Sequence, residues 1–243
     1  MMRSPDRDLA GLPLVGGFGR RSRKTVFCIY CGRRADTVDH VPPRVLLENP
    51  YPPNLRTVPA CQPCNSGWSS DEEYVATLLG LVGEAPRLKA KTEEGGKVDR
   101  ALVGSPRLDD RMIRSMSVDV EARVAISPEI ARVALVLQKI AMGLHALRYG
   151  RGPSLNAFAC IAVAGPSTPF PPVINDAQPG ALNLKPKRWT TVQIDVFSFV
   201  FMKDLTGAAP LWCVVNLHGT LTAIVRCPAP ILRKHHRLES APW

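Results

Sequence analysis

Two Cys-x-x-Cys pairs constrain this chain more than any other feature of its sequence. The pairs are Cys28 with Cys31 and Cys61 with Cys64, and 29 residues separate them. Four thiolates suit the closed tetrahedral shell of a structural zinc ion, and Gly32 fits the tight turn that the first pair needs. We therefore expect one structural zinc ion. The spacing exceeds that of a simple zinc ribbon, so an insert lies between the pairs.

The composition is that of a folded protein that needs no disulfide framework. Of its 243 residues, 45% are hydrophobic and 21% are charged, ordinary values for a chain long enough to bury its own core. Seven cysteines, an odd number, indicate metal ligands in a reducing compartment. No apolar run approaches the roughly 18 residues of a membrane span. We expect a cytoplasmic protein with no membrane partner, and the sequence indicates no oligomeric state.

The net charge of +10 is unevenly distributed. Residues 1–34 carry eight basic and two acidic groups, and residues 35–85 carry two basic and seven acidic groups. Residues 1–24 lack apolar periodicity, so we interpret them as a basic, flexible arm. A basic segment of this kind fits a polyanionic partner such as nucleic acid. Charge that serves only solubility remains the alternative.

The second half of the chain predicts a long helix and an antiparallel sheet. Ser127 can cap the helix, Pro128 suits its first turn and Gly150 can end it. Strand patterns follow at 190–202, 211–217 and 220–227. Residues 216–219 predict the turn between the last two strands. Residues 84–125 show no strong periodicity.

The insert between the cysteine pairs holds a further motif. Asp39 and His40 are followed by Val-Pro-Pro, Asn54 precedes a leucine, and Asn65 comes directly after Cys64. In this order the segment from Cys28 to about residue 74 resembles the HNH endonucleases, in particular those whose ββα-metal (His-Me finger) site is fastened by a four-cysteine zinc. The resemblance covers about a fifth of the chain.

The resemblance implies a role for each matching residue. Asp39 corresponds to the acid that binds a catalytic divalent cation, and His40 to the general base. Asn54 corresponds to the asparagine that holds the loop of the base, and Asn65 to the last ligand of the cation. The cofactors would then be Zn²⁺ at the cysteines and Mg²⁺ or Mn²⁺ at Asp39 and Asn65.

Polar residues follow the second cysteine pair. The acidic ones are Asp71, Glu72 and Glu73. Ser69 and Ser70 precede two of them at capping-box spacing. We interpret the acids as charges at a helix N-terminus rather than as metal ligands. Trp68 is expected to pack beneath that helix.

Together these features predict an α+β protein in three parts. A basic arm at 1–24 precedes an HNH ββα-metal module at 25–83, and an accessory region of unknown role fills 84–243. The expected function is metal-dependent hydrolysis of phosphodiester bonds in DNA by an endonuclease. A neutral imidazole can accept a proton from water at cellular pH, and one divalent cation can stabilise the leaving oxygen. The alternative is a non-catalytic zinc module that binds nucleic acid or protein.

Overall fold

The structure of the chain is a computed structural model. The structure describes residues 26–83, 92–118, 124–150, 155–164, 189–203 and 211–229. The predicted basic arm, 1–24, lies outside these residues. Within them the protein is α+β, with helices and an antiparallel sheet, as the sequence predicts.

A short hairpin followed by helices forms the first part of the fold. Strand β1 (Thr37–Val41) pairs antiparallel with β2 (Arg56–Ala60). Helix α1 (Gln62–Gly67) follows β2 directly, and helix α2 (Ser69–Val82) follows α1. The start of α1 is stabilised by the Asp36 carboxylate, which accepts a hydrogen bond of 2.7 Å from the Gln62 amide.

Two short helices and a second hairpin come next. They are α3 (Lys97–Gly104), α4 (Pro106–Ser115), β3 (Met116–Val118) and β4 (Val124–Ile126). The sequence of 84–125 shows no strong periodicity because each element is short. Helix α4 buries only Leu108, Met112 and Ser115, too few positions to establish a helical pattern.

Helix α5 (Ile130–Tyr149) is the long helix that the sequence predicts. The expected cap at Ser127 is wrong: the Ser127 amide donates a 2.7 Å hydrogen bond to the Ser115 carbonyl, which continues the β3–β4 pairing. Gly150 ends the helix with a φ of +82°, a conformation that favours glycine. By length and hydropathy α5 could cross a membrane, and 67% of its most apolar window is buried inside the protein. Core helices have this composition too.

The remaining strands form one five-stranded antiparallel sheet. They are β5 (Ala159–Ala164), β6 (Thr190–Gln193), β7 (Phe197–Lys203), β8 (Leu211–Leu217) and β9 (Leu221–Cys227), in the order β5-β9-β8-β7-β6. The single predicted strand at 190–202 is wrong, because a turn containing Asp195 with a φ of +57° divides it. The predicted turn between β8 and β9 is confirmed, with positive φ at His218 and Gly219.

Helix α5 joins the two halves of the molecule. It contacts α2, β1 and β2, which precede it in the sequence, and β5, β8 and β9, which follow it. One hydrophobic core contains buried residues of α2, α5, β1, β2, β8 and β9, and Cys160 and Val163 of β5 pack against it. A Cβ added to Gly143 would lie 2.6 Å from Cγ2 of Val41. The absence of a side chain at this position therefore lets α5 approach β1 closely.

Candidate metal centre and adjoining polar site

The four cysteines of the two pairs come together at one end of the hairpin. Their Sγ atoms all lie within 4.8 Å of one another. Tetrahedral zinc with bonds of about 2.3 Å places its sulfur ligands about 3.8 Å apart. Gly32, with a φ of +79°, makes the turn of the first pair, and its amide donates to the Cys28 carbonyl. Four cysteines so close together could hold a zinc ion.

The surroundings of the cysteines shift the pKa values of their thiols in different directions. Arg33 donates a 3.4 Å hydrogen bond from Nε to Sγ of Cys31 and lowers the pKa of that thiol to about 6. Burial raises the pKa of Cys28 and of Cys64. Because zinc binds thiolates, an ion at this position would stabilise the deprotonated form of all four groups.

Asp39 and His40, adjacent in sequence, lie on opposite faces of β1. Successive side chains of a strand alternate between its faces, and the pairing of Asp39 with Val58 and of His40 with Thr57 is regular. Asp39 is 6% exposed and faces the core together with Val41. His40 is half-buried on the other face. The two side chains therefore leave β1 on opposite faces.

The pKa of His40 lies below its usual value of 6.5. Partial burial is the largest cause, the positive charge of Arg44 is the second, and the negative charge of Asp39 opposes both. Arg44 is exposed, with its guanidinium carbon 5.4 Å from the centre of the Tyr51 ring. The imidazole of His40 is consequently neutral at pH 7 and can accept a proton.

The two asparagines of the motif lie at opposite ends of the hairpin. The side-chain nitrogen of Asn65 donates to Oγ1 of Thr37 at 3.2 Å and to the carbonyl of Val38 at 3.1 Å. Asn54 is exposed in the turn before β2, beyond the end at which Val41 pairs with Arg56. Asn65 therefore lies beside the strand that carries Asp39, whereas Asn54 is on the surface.

Lys139 of α5 points into the core beside Asp39. Its Nζ lies 2.7 Å from Oδ2 of Asp39 and also contacts Glu72. The Tyr30 hydroxyl donates a 2.7 Å hydrogen bond to the same Oδ2. The Nζ of Lys139 lies 5.7 Å from the ring centre of Tyr30 and 5.1 Å from that of Trp68. The side chains of Lys139, Asp39 and Glu72 are 1%, 7% and 11% exposed, so this polar cluster is largely buried.

The sequence alone did not identify this cluster. Glu72 lies in the first turn of α2, as the sequence predicts, but it is 9% exposed and pairs with Lys139. Burial raises the pKa of Glu72 and the charge of Lys139 opposes that rise. A signal existed: Lys139 is the only Lys, Arg, Asp or Glu residue between positions 133 and 147. A single lysine in an apolar helix indicates a buried partner.

The five-stranded sheet fixes the loop that follows the Asp-His pair. Gln193 accepts a hydrogen bond from the Glu48 amide and donates one to the Glu48 carbonyl, each 3.0 Å long. The Nε2 atom of His218 lies 3.0 Å from the Leu46 carbonyl oxygen. The second half of the chain thus positions two features: Asp39, through Lys139, and the loop that follows His40.

Comparison of the chain with protein-family models, curated protein sequences and solved structures gives no match.

Proposed function

We propose that the chain is a zinc-stabilised endonuclease in which His40 is the general base for phosphodiester hydrolysis. The observation that carries the proposal is the state of His40. Its imidazole is half-buried on the face of β1 away from the core, and its pKa is lowered. A base that is neutral at cellular pH and open to solvent can take a proton from water.

Zinc at the cysteines would have a structural role in this proposal. The hairpin has only two strands, and an isolated hairpin of this size is marginally stable in water. Cysteines before β1 and directly after β2 would close the base of the hairpin around one ion. A four-thiolate shell leaves no open position for substrate. The chemistry must therefore take place elsewhere on the hairpin.

Arg44 is the residue best placed to hold a phosphate near His40. It is exposed, close enough to lower the pKa of His40, and supported by the Tyr51 ring. Guanidinium groups bind phosphate oxygens through two parallel hydrogen bonds. The exposed Arg33 and Arg34 lie in the same module. These residues favour a nucleic acid as the substrate, and we propose DNA.

The proposal also includes a divalent cation, Mg²⁺ or Mn²⁺, at Asp39 and Asn65. The carboxylate and the amide oxygen of these residues are the hard donors that such cations prefer. The side-chain nitrogen of Asn65 donates to Thr37 and to Val38, so the atom it would offer a cation is its amide oxygen. A bound cation would supply charge neutralisation at the scissile phosphate. His40 would hold the proton taken from the attacking water.

The proposal can be tested by cleavage assays with matched variants. Zinc-loaded wild-type protein, His40→Ala and Thr57→Ala are incubated with plasmid DNA, single-stranded DNA and RNA, with Mg²⁺ or Mn²⁺ against EDTA. Thr57 is the control because it lies opposite His40 on the same face of the hairpin. We expect His40→Ala to reduce cleavage by roughly 10²–10⁴-fold and Thr57→Ala to retain it. Equal cleavage by wild type and His40→Ala would refute His40 as the base.

A non-catalytic zinc module is the second candidate, and one observation favours it. Asp39 is buried and paired with Lys139 and Tyr30. In this candidate the arrangement has a structural role alone, which is to attach α5 to the hairpin. Such a module would bind nucleic acid through Arg33, Arg34 and Arg44 without cutting it. Binding that is lost in Arg44→Ala, together with no cleavage under any divalent cation, would select this candidate.

A further inference from the structure

Arg44 and Tyr51 form an exposed pair on the connection that joins β1 to β2. The guanidinium carbon of Arg44 lies 5.4 Å from the centre of the Tyr51 ring, and Tyr51 is 37% exposed. Among the residues that the structure describes, Arg44 pairs with no carboxylate, whereas the exposed Arg111 pairs with Glu129. The positive charge of Arg44 is therefore available to an anion from solution.

The five-stranded sheet holds the connection in place on both sides of this pair. The side-chain nitrogen of Gln193 donates a 3.3 Å hydrogen bond to the carbonyl of Pro50, which directly precedes Tyr51. The carbonyl of Leu46, two residues after Arg44, lies 3.0 Å from a histidine ring nitrogen in the β8–β9 turn. Both members of the pair thus stand on backbone that the sheet fixes. A ligand that binds them has little ordering of the protein to oppose it.

The geometry of a guanidinium group allows it to bind two kinds of partner at once. The group is planar, so its edge N–H groups donate to phosphate oxygens while its faces stack on flat rings. One face of the Arg44 guanidinium lies over the Tyr51 ring, and the side chain is exposed. The second face and the edges are open to a ligand. A nucleotide offers a partner for each, because it carries a flat base and a phosphate.

We propose that Arg44 and Tyr51 form a stacking platform for one unpaired nucleobase, so that the chain binds single-stranded nucleic acid beside His40. The base lies on the open face of the Arg44 guanidinium, and the Tyr51 ring supports the other face. A base within a duplex has both faces covered by its neighbours and reaches such a platform only by leaving the helix. The platform rests on the proposed function for the role of His40, and it names the kind of strand that the nuclease would cut.

The platform is tested by binding rather than by cleavage. Zinc-loaded wild type, Arg44→Lys, Tyr51→Leu and Tyr51→Phe are titrated by fluorescence anisotropy, without added divalent cation, against one labelled strand in three forms. The forms are the single strand, the same strand in a duplex, and an abasic strand of equal length that keeps every phosphate. The lower end of base stacking corresponds to about fivefold in affinity. We expect Arg44→Lys and Tyr51→Leu to weaken single-strand binding by at least that factor.

The other two forms of the strand separate stacking from charge. Arg44→Lys keeps the positive charge but loses the flat group, so its loss should be much larger for the single strand than for the abasic strand or the duplex. Tyr51→Phe keeps the ring and should bind all three forms as wild type does. Arg107→Lys, the same change at an exposed arginine on α4, should alter nothing. Equal losses on all three forms in Arg44→Lys, or no loss on any, would overturn the platform.

Single-stranded DNA and RNA share the chemistry that the platform recognises, so strands of one sequence are titrated in both forms. Binding that depends on Tyr51 supports the platform with either strand, and such binding to RNA alone would refute DNA as its ligand. The outcome is separate from that of the nuclease. Single-strand binding that depends on Tyr51, without any cleavage, would contradict the endonuclease alone. Cleavage that depends on His40, with unchanged binding in Tyr51→Leu, would contradict the platform alone.

Discussion

Lys139 lies with its Nζ 2.7 Å from Oδ2 of Asp39 and so joins the long helix α5 to the hairpin strand β1 inside the protein. The contact links residues 100 positions apart in the sequence. It also links the cysteine-bearing part of the chain to the sheet, because α5 contacts both. Substitutions on α5 should therefore affect the stability of the hairpin.

Lys139→Met should destabilise the fold much more than Glu72→Gln. The first change leaves two buried carboxylates without a cation, and loss of one partner of a buried ion pair costs about 3–5 kcal/mol. The second leaves Asp39 and Lys139 as a neutral pair. Urea unfolding of the zinc-loaded variants measures both free energies. A larger loss for Glu72→Gln would show that Lys139 depends mainly on Glu72.

Gly143→Ala should weaken the contact between α5 and β1. The added Cβ would lie 2.6 Å from Cγ2 of Val41 and 3.0 Å from Cγ1, so one of the elements must move. Overpacking of this kind costs about 1–3 kcal/mol. Val41→Ala/Gly143→Ala removes the clash and should recover part of the stability. Thermal unfolding of the single and double variants gives the coupling energy, and strict additivity would contradict the close approach.

Loss of any one zinc ligand should unfold the hairpin rather than only slow a reaction. Cys61→Ser removes a ligand that also begins α1, and structural zinc contributes directly to folding free energy. Metal analysis should find one zinc ion per wild-type chain and none in the variant. Cys160→Ala is the control, because Cys160 lies in β5 outside the cysteine cluster. Full zinc content in Cys61→Ser would refute the four-cysteine site.

The pH dependence of cleavage should follow the protonation of His40. A general base acts when deprotonated, so the rate should rise with pH through the His40 pKa and level off above it. Because that pKa is lowered from 6.5, the midpoint of the increase in cleavage rate should lie below pH 6.5. Initial rates between pH 4.5 and pH 8 test this expectation, and His40→Ala should lack the rise.

Arg44→Ala should shift this profile in a defined direction. The Arg44 charge lowers the pKa of His40, so its removal should move the rise toward higher pH. Arg107→Ala is the matched control, since Arg107 is an exposed arginine on α4. A shift to lower pH in Arg44→Ala would contradict the proposed electrostatic relation.

His145 should make the fold sensitive to mild acid. Burial lowers its pKa from 6.5 to about 4, so the folded protein holds the ring neutral while the unfolded chain protonates it below pH 6.5. The stabilisation is complete above pH 6.5 and is lost as the pH falls toward 4, by about 3 kcal/mol at most. Unfolding free energies across this range should show a shallower decline in His145→Leu. An unchanged decline would assign the sensitivity to other groups.

The sequence by itself determined the local features of this protein. The spacing of the cysteines predicted a cluster, and the four Sγ atoms are close together. The long helix and the β8–β9 turn were also predictable, because hydrophobic period and turn chemistry act over a few residues. The division of 190–202 into two strands was missed, since the turn at Asp195 lies within a run of strand-forming residues.

Only the tertiary structure decided what surrounds the Asp-His pair. Strand alternation directs Asp39 inward and His40 outward, but no local pattern states which residue meets Asp39. That partner is Lys139, 100 positions away, held there by the packing of α5 on β1 at Gly143 and Val41. Long-range contacts depend on which surfaces of separate elements fit together. A local sequence pattern specifies each surface but not its partner.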